Sequence, residues 1–155
     1  MQETVDHIID QYGGQEQHLL AVLQDIQGKF NYLPRPALEH VSRKMGVSLG
    51  RISYMATFFS SFSLKERGKH ICTVCLGTAC HVRGAPRLVE EMERVLEVKA
   101  GETTKDRQFT LETVNCVGAC ALGPLVIVDG EYHGNQSSAQ IERLVKKVRM
   151  ADGKE

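Results

Sequence analysis

The sequence lacks several features that would place it in whole classes of proteins. Its 155 residues include no tryptophan, and aromatic residues make up only 6%. The 19 basic side chains balance 19 acidic ones, so the formal net charge of zero disfavours a polyanion-binding protein with a strong global field. No apolar run approaches the roughly 18 residues of a membrane span, and the amino terminus does not resemble a signal peptide. We therefore expect a soluble, cytoplasmic chain.

Cysteine is also missing from the first 71 residues, because all five cysteines lie between Cys72 and Cys120. An odd number suits a disulfide framework poorly, and thiols stay reduced in the cytoplasm. In that compartment, clustered cysteines more often bind a metal or carry out redox chemistry. The uneven distribution predicts two regions with different roles, residues 1–66 and residues 67–155.

The sequence pattern of the first region predicts a bundle of three or four short helices. Its clearest signal is a stripe of apolar residues at helical spacing, Leu19, Val22, Leu23, Ile26 and Phe30. We expect this helix to end between Gly28 and Pro34, and a later helix to begin near Pro36 and stop at Gly46. Ser48 can cap the next helix through its hydroxyl group. A shorter apolar repeat near the amino terminus completes the predicted N-terminal helical bundle.

The second region alternates strand signals with helix signals. Alternating or continuous apolar residues predict strands over residues 69–74, 109–114 and 125–128. Helical spacing predicts helices over about residues 86–98, ended by Gly101, and 137–149. The dipeptide Asp129-Gly130 is typical of a tight hairpin turn, so a return strand should follow it. The order predicts a small α/β domain with a mixed sheet, and with the helical bundle an α+β fold class.

Four cysteines form two pairs, Cys75 with Cys80 and Cys116 with Cys120, and each pair follows a predicted strand. Loops that leave one edge of a sheet can bring four thiolates to one point. Zinc and iron–sulfur clusters are the main candidates for such a site. The spacings of four and three intervening residues are wider than most zinc knuckles. They favour a [2Fe–2S] cluster and leave structural zinc as the alternative.

Glycines surround both cysteine pairs and would let the backbone wrap closely around an inorganic core. They are Gly77, Gly84, Gly118 and Gly123. The fifth cysteine, Cys72, has the redox C-x-x-C spacing with Cys75, but it falls inside a predicted strand, so we interpret it as a buried structural thiol.

Other residues that could serve a site are interpreted as structural. The histidines expected on solvated faces are His7, His18, His40, His70 and His133. The aromatic group Phe58, Phe59 and Phe62 is expected in the helical core or in a contact between the two regions.

Several short motifs, taken together, resemble one known family. They are Cys-Leu-Gly-Thr-Ala-Cys at residues 75–80, Cys-Val-Gly-Ala-Cys at 116–120, Tyr-Leu-Pro at 32–34 and Ala-Thr-Phe-Phe at 56–59. This set resembles the small thioredoxin-like [2Fe–2S] subunit of the complex I NADH dehydrogenase module. The same family includes subunits of NAD-dependent hydrogenases, formate dehydrogenases and electron-bifurcating complexes. The resemblance runs from about residue 17 to residue 148.

The resemblance implies a thioredoxin-like domain with a mixed β-sheet and one [2Fe–2S] cluster. Carried over to this chain, it implies that the cluster ligands are Cys75, Cys80, Cys116 and Cys120. It also implies a flavoprotein partner with FMN, an NADH site and its own iron–sulfur cluster, and further iron–sulfur or catalytic subunits. FMN and NAD(H) would then bind the partner and not this chain, which would transfer electrons without catalytic residues of its own.

The run Ala-Leu-Gly-Pro at residues 121–124 departs from the Gly-x-Ala-Pro run of many respiratory members. It favours a soluble hydrogenase, formate dehydrogenase or electron-bifurcating complex over respiratory complex I, which stays as the alternative. Two more distant interpretations are a zinc-stabilised interaction module and a cluster-sensing DNA-binding regulator. The latter would use residues 36–59 as a helix-turn-helix, but zero net charge disfavours nucleic acid as a partner. Nor do we expect direct membrane insertion.

Overall fold

Buried apolar side chains are divided between two separate cores, one in each of two units of the chain. The structure is a computed structural model that describes residues 1–152. The first unit is Met1–Arg67, and the second begins at Gly68. Within residues 1–152, no helix combines the length and the apolar character needed to cross a membrane.

The first unit contains four α-helices, which confirms the predicted helical bundle. They are α1 (Gln2–Gln11), α2 (Leu19–Phe30), α3 (Arg35–Met45) and α4 (Leu49–Phe58), with a 3-10 turn at Glu16–His18 before α2. Each α-helix turns one apolar stripe inward, and the side chains of Val5, Val22, Val41 and Ile52 are fully buried. Burial of these stripes is the main force that stabilises such short helices, since helices of this length are marginal alone.

The ends of these helices follow local chemistry. Ser48 caps α4 as predicted, because its Oγ accepts a hydrogen bond from the backbone N–H of Arg51 at 3.3 Å. Gly46 ends α3 in the left-handed conformation. Helix α2 ends at Phe30, between Gly28 and Pro34 as predicted, because Asn31 adopts the left-handed conformation at φ 65°.

The second unit has a four-stranded mixed sheet, which confirms the predicted sheet type. Its strands are β1 (His70–Cys75), β2 (Phe109–Val114), β3 (Val126–Val128) and β4 (Glu131–His133), in the order β2-β1-β3-β4. Its helices are α5 (Thr78–Val82), α6 (Ala85–Leu96) and α7 (Ser138–Asp152). Strands β1 and β2 are parallel, whereas β3 pairs antiparallel with both β1 and β4.

Local conformations explain where the predicted boundaries of this unit hold and where they shift. Asp129 and Gly130 both have positive φ, as the predicted tight hairpin between β3 and β4 requires. Helix α6 ends at Leu96, before the predicted stop at Gly101, because Glu97 adopts the left-handed conformation. Helix α5 was not predicted, since five residues are too few to show helical periodicity.

The core of the second unit lies between the sheet and its helices. Side chains that are less than 5% exposed come from β1, β2, β3, α6 and α7, and include Cys72, Val74, Phe109, Leu111, Val126, Leu88, Met92, Ile141 and Val145. The parallel register pairs Cys75 with Val114, so the carboxyl ends of β1 and β2 reach the same edge of the sheet. That edge is where the two cysteine pairs follow.

Candidate metal centre

The four paired cysteines lie just beyond the carboxyl ends of the two parallel strands. Cys75 is the last residue of β1, and Cys80 lies in α5, the short helix that follows it. Cys116 comes two residues after the end of β2, and Cys120 begins a 3-10 turn that continues to Leu122. The parallel pairing of β1 and β2 therefore brings two segments distant in sequence to one place.

The four thiols are linked by side-chain contacts. Cys75 contacts the thiols of both Cys80 and Cys116, and Cys116 also contacts Cys120. Cys75 and Cys80 are each 2% exposed, whereas Cys116 and Cys120 are exposed to solvent. These contacts are pairwise. In the part of the chain that the structure describes, no three His, Cys, Asp or Glu side chains are arranged to hold a single metal ion.

The electrostatics of the thiols fit a site that binds positive charge. Burial raises the pKa of Cys75, but hydrogen bonds from the backbone N–H groups of Gly77 and Val117 and from two thiols outweigh burial and lower it overall. Burial, followed by the neighbouring Cys75, raises the pKa of Cys80. The hydrogen bond with Cys116 and its charge raise the pKa of Cys120. The Cys75 thiolate forms readily while Cys80 and Cys120 resist ionisation, and the positive charge of bound iron or zinc would offset the repulsion between thiolates.

Two of the surrounding glycines are required by close approach. A Cβ atom on Gly77 would lie 2.7 Å from the carbonyl oxygen of Asn115 and 3.4 Å from the sulfur of Cys116. A Cβ atom on Gly123 would lie 2.9 Å from the sulfur of Cys80. The distances of 2.7 Å at Gly77 and 2.9 Å at Gly123 are shorter than the contacts that real Cβ atoms make. Only glycine therefore fits at these positions without a shift of the neighbouring atoms. The expectation of close backbone approach is therefore confirmed at these two positions.

The other two glycines are favoured by backbone conformation. Gly84 and Gly118 have open space around them, and their φ values of 103° and 81° favour glycine over other residues. At Gly118 this conformation lets the backbone N–H donate a hydrogen bond to the sulfur of Cys116 at 3.3 Å. N–H donors to sulfur stabilise thiolate ligands and influence the potential of a bound cluster.

Sequence reasoning missed Arg83, whose side chain bridges the two cysteine segments. Its Nη1 group donates to the carbonyl oxygen of Cys120 at 3.3 Å and to that of Gly123 at 3.0 Å. The only signal in the sequence is its place three residues after Cys80, at the end of a stretch too short to be predicted as a helix. Arg83 also borders a cleft of about 580 Å³. The cleft is lined by Thr78, Val82, Asn115, Cys116 and Cys120, among others.

The fifth cysteine is separated from this site. Cys72 lies within β1 and is 1% exposed, as the sequence predicts for a structural thiol. Burial, with a smaller effect of the Asp129 charge, raises the pKa of Cys72 to about 12. A thiol with so high a pKa is not a ready nucleophile or metal ligand.

The interpretation of His70 was wrong, and that of the aromatic group holds only in part. His70 is not on a solvated face: it is 9% exposed, and its Nδ1 lies 2.6 Å from Oδ2 of Asp129. Of the two places expected for the aromatic group, the helical core is excluded for Phe58, because it is 66% exposed and stacks on Tyr54, which is 65% exposed. Phe62, by contrast, is buried in the core of the first unit, as expected.

Comparison with known proteins agrees with this arrangement. The sequence profile of the thioredoxin-like [2Fe–2S] ferredoxin family matches residues 5–149. The chain is 34% identical to the HndA subunit of the NADP-reducing hydrogenase of Solidesulfovibrio fructosivorans, over 91% of this chain and 82% of that protein. It is 32% identical to a subunit of the NADH-quinone oxidoreductase of Rhizobium meliloti (strain 1021), over 98% of this chain and 90% of that protein.

A solved structure shares the fold at low sequence identity. An NAD+-reducing [NiFe]-hydrogenase in the air-oxidised state superposes with a TM-score of 0.74 at 19% identity. The superposition covers 86% of this chain and 23% of the hydrogenase chain, so this chain spans about a quarter of its length. From the profile match and the two relatives together, the chain belongs to the thioredoxin-like [2Fe–2S] ferredoxin family, whose members carry one [2Fe–2S] cluster.

Proposed function

We propose that the chain is the electron-transfer subunit of a multisubunit NAD(H)-linked oxidoreductase. In this proposal Cys75, Cys80, Cys116 and Cys120 hold its [2Fe–2S] cluster. The observation that carries the proposal is the meeting of these four thiols at the carboxyl ends of β1 and β2. The glycine approach at Gly77 and the N–H donors to sulfur fit a compact anionic cluster.

When bound, a [2Fe–2S] cluster supplies one-electron transfer at a potential set by its surroundings. The two pairs of cysteines that would hold it differ in their exposure to solvent. Cys75 and Cys80 are buried and anchored by a strand and a helix, so they provide the rigid half of the site. Cys116 and Cys120 are exposed, so the other half faces solvent and any partner. That exposure suits a relay, because electron exchange between proteins requires a short path to the surface.

The proposed partner is a larger flavoprotein subunit with FMN, an NADH site and its own iron–sulfur cluster. Supporting this, one relative is named as a subunit of an NADP-reducing hydrogenase and another as a subunit of an NADH-quinone oxidoreductase. The helical first unit would dock on the flavoprotein. A cytoplasmic hydrogenase, formate dehydrogenase or electron-bifurcating complex is the leading context, and respiratory complex I is the alternative.

The cluster and its ligands are tested by anaerobic reconstitution of the full chain with iron and sulfide. The wild-type protein should absorb in the visible and contain two irons and two sulfides per chain. Cys75→Ser and Cys116→Ser should each lose that spectrum, whereas Cys72→Ala, the matched control, should keep it. A colourless chain with one zinc would instead support the zinc-stabilised module, and a normal spectrum in Cys116→Ser would contradict the ligand assignment.

The partner is tested by purifying the tagged full chain from its native host under anaerobic conditions. We expect an FMN-containing subunit to co-purify, and NADH to bleach the visible absorbance of the chain only when that subunit is present. Bleaching by NADH in the isolated chain would contradict the division of roles between the two proteins. A salt-sensitive shift of duplex DNA by the purified chain would favour the regulator instead.

A further inference from the structure

The guanidinium group of Arg83 links the segment that carries Cys80 to the segment that carries Cys120. Arg83 follows directly after α5, and its own backbone N–H donates to Ala79, which fixes the base of the side chain on the end of that helix. From there Nη1 donates to the carbonyl oxygens of Cys120, at 3.3 Å, and Gly123, at 3.0 Å. One cationic group therefore holds both ends of the 3-10 turn that begins at Cys120.

The bond to Gly123 lies at a close approach between the two segments. Gly123 lies so near Cys80 that an added Cβ atom would be 2.9 Å from its sulfur. The 3-10 turn has a second anchor, because the backbone N–H of Asn135 donates to the carbonyl oxygen of Leu122 at 2.8 Å. Without Arg83, the turn would keep this second anchor but lose the bonds that draw it towards α5.

We propose that Arg83 is a positioning residue that fixes Cys120 relative to Cys80 and raises the reduction potential of the bound cluster. The inference rests on the proposed function, because it takes both cysteines as ligands. Arginine suits the task, since Nη1 alone, one nitrogen of its planar and permanently charged fork, has two N–H donors for the two carbonyl groups. A fixed positive charge beside a site that gains negative charge on reduction favours the reduced form.

The test compares reconstituted full-length wild type with Arg83→Gln, Arg83→Lys and Arg87→Gln. Arg87 is a matched control, because it is an exposed arginine in α6 whose side chain hydrogen-bonds to none of the described residues. Two quantities are measured: the half-life of the visible absorbance in excess chelator, and the reduction potential by anaerobic dye titration. Thermal unfolding of the cluster-free proteins checks the fold.

Arg83→Gln should lose its cluster about fivefold faster than wild type, since it loses charge-assisted hydrogen bonds, and should have a lower potential. Arg83→Lys keeps the positive charge without the planar fork, so its reduction potential should stay near that of wild type. Its half-life should fall between those of wild type and Arg83→Gln. Arg87→Gln should match wild type in both measurements. All four cluster-free proteins should unfold at similar temperatures.

Unchanged half-life and potential in Arg83→Gln, with wild type fully loaded, would overturn the inference and leave the proposed function standing. Equal changes in Arg83→Gln and Arg87→Gln would also overturn it, because they would show a general effect of net charge. A wild-type chain that takes up no cluster would overturn the proposed function as well. If both cluster-free Arg83 variants failed to fold, the inference would be overturned, because Arg83 would then have a structural role and not a positioning role.

Discussion

Gly77→Ala is the sharpest test of how closely the two cysteine segments must approach. The backbone of Gly77 has φ −56° and ψ 157°, which alanine adopts freely, so the substitution adds no conformational strain. What it adds is a methyl group 2.7 Å from the carbonyl oxygen of Asn115. Ordinary van der Waals contact begins near 3.4 Å, so the two segments must separate by about 0.7 Å.

The surroundings give this methyl group little room. The carbonyl of Gly77 accepts the N–H of His81 at 2.8 Å, and the N–H of Leu76 donates to Val114 at 2.8 Å. Both sides of the clash are therefore backbone tied into a helix or into the parallel strand pair. Overpacking of this kind costs about 1–3 kcal/mol. A displacement of about 0.7 Å also exceeds the roughly 0.5 Å within which a binding site must be held.

We therefore expect Gly77→Ala to lose its cluster at least about tenfold faster than wild type, since about 1.4 kcal/mol corresponds to a factor of ten. The assay is the decay of visible absorbance in excess chelator, with thermal unfolding of the cluster-free chain measured alongside. Gly50→Ala is the control, because its Cβ atom meets nothing within 4 Å and it lies in α4. There, alanine should leave the half-life unchanged, since Gly50 lies in the first turn of α4, in the unit that contains no cysteine.

A wild-type half-life in Gly77→Ala would refute the reasoning, because it would show that the site tolerates separation of the two segments. A similar loss in Gly50→Ala would point to a general loss of stability instead.

Three further outcomes follow from the same structure. Because burial raises the pKa of Cys72 to about 12, iodoacetamide at about pH 8 should alkylate the exposed Cys116 in the metal-free chain and spare Cys72 until unfolding, as read by mass spectrometry. Hydrogen bonds from Lys44 and His40 hold the pKa of Asp6 below its ordinary value of 3.8, so their stabilising effect is present above that value and is lost as pH falls through the folded-state pKa. Thermal unfolding from about pH 5 to pH 2 should show this loss, and Lys44→Met should weaken it. Ser48→Ala removes the cap of α4 and should cost about 1 kcal/mol in urea unfolding, whereas Ser48→Asp should keep it.

Local patterns predicted most of the elements, because periodicity and turn chemistry act over a few residues. The apolar stripe that includes Val22 and Ile26 specified a helix, and Asp129-Gly130 specified a hairpin. The stop of α6 was wrong for an equally local reason. Glu97 ends the helix in a left-handed conformation that few non-glycine residues adopt, so Gly101 was the more obvious stop.

The candidate site was predicted only as a set of ligands. Cysteine spacing and the shared motifs indicated which four thiols belong together, and the structure shows them in contact. Neither Arg83 nor the environment of His70 could be predicted, because their partners are 37–40 and 59 residues away in sequence.

The sequence by itself determined the helical first unit, the strands of the second, the four-plus-one division of the cysteines and the family. Each of these is encoded by residues close together or by short motifs. Only the tertiary structure decided that β1 and β2 run parallel in the register that pairs Cys75 with Val114. It also decided that Gly123 packs against Cys80 and accepts a hydrogen bond from Arg83. Such contacts depend on how the sheet and its helices pack as a whole. They join residues that no local pattern connects, and they bring the exposed and buried thiols to one edge of the sheet.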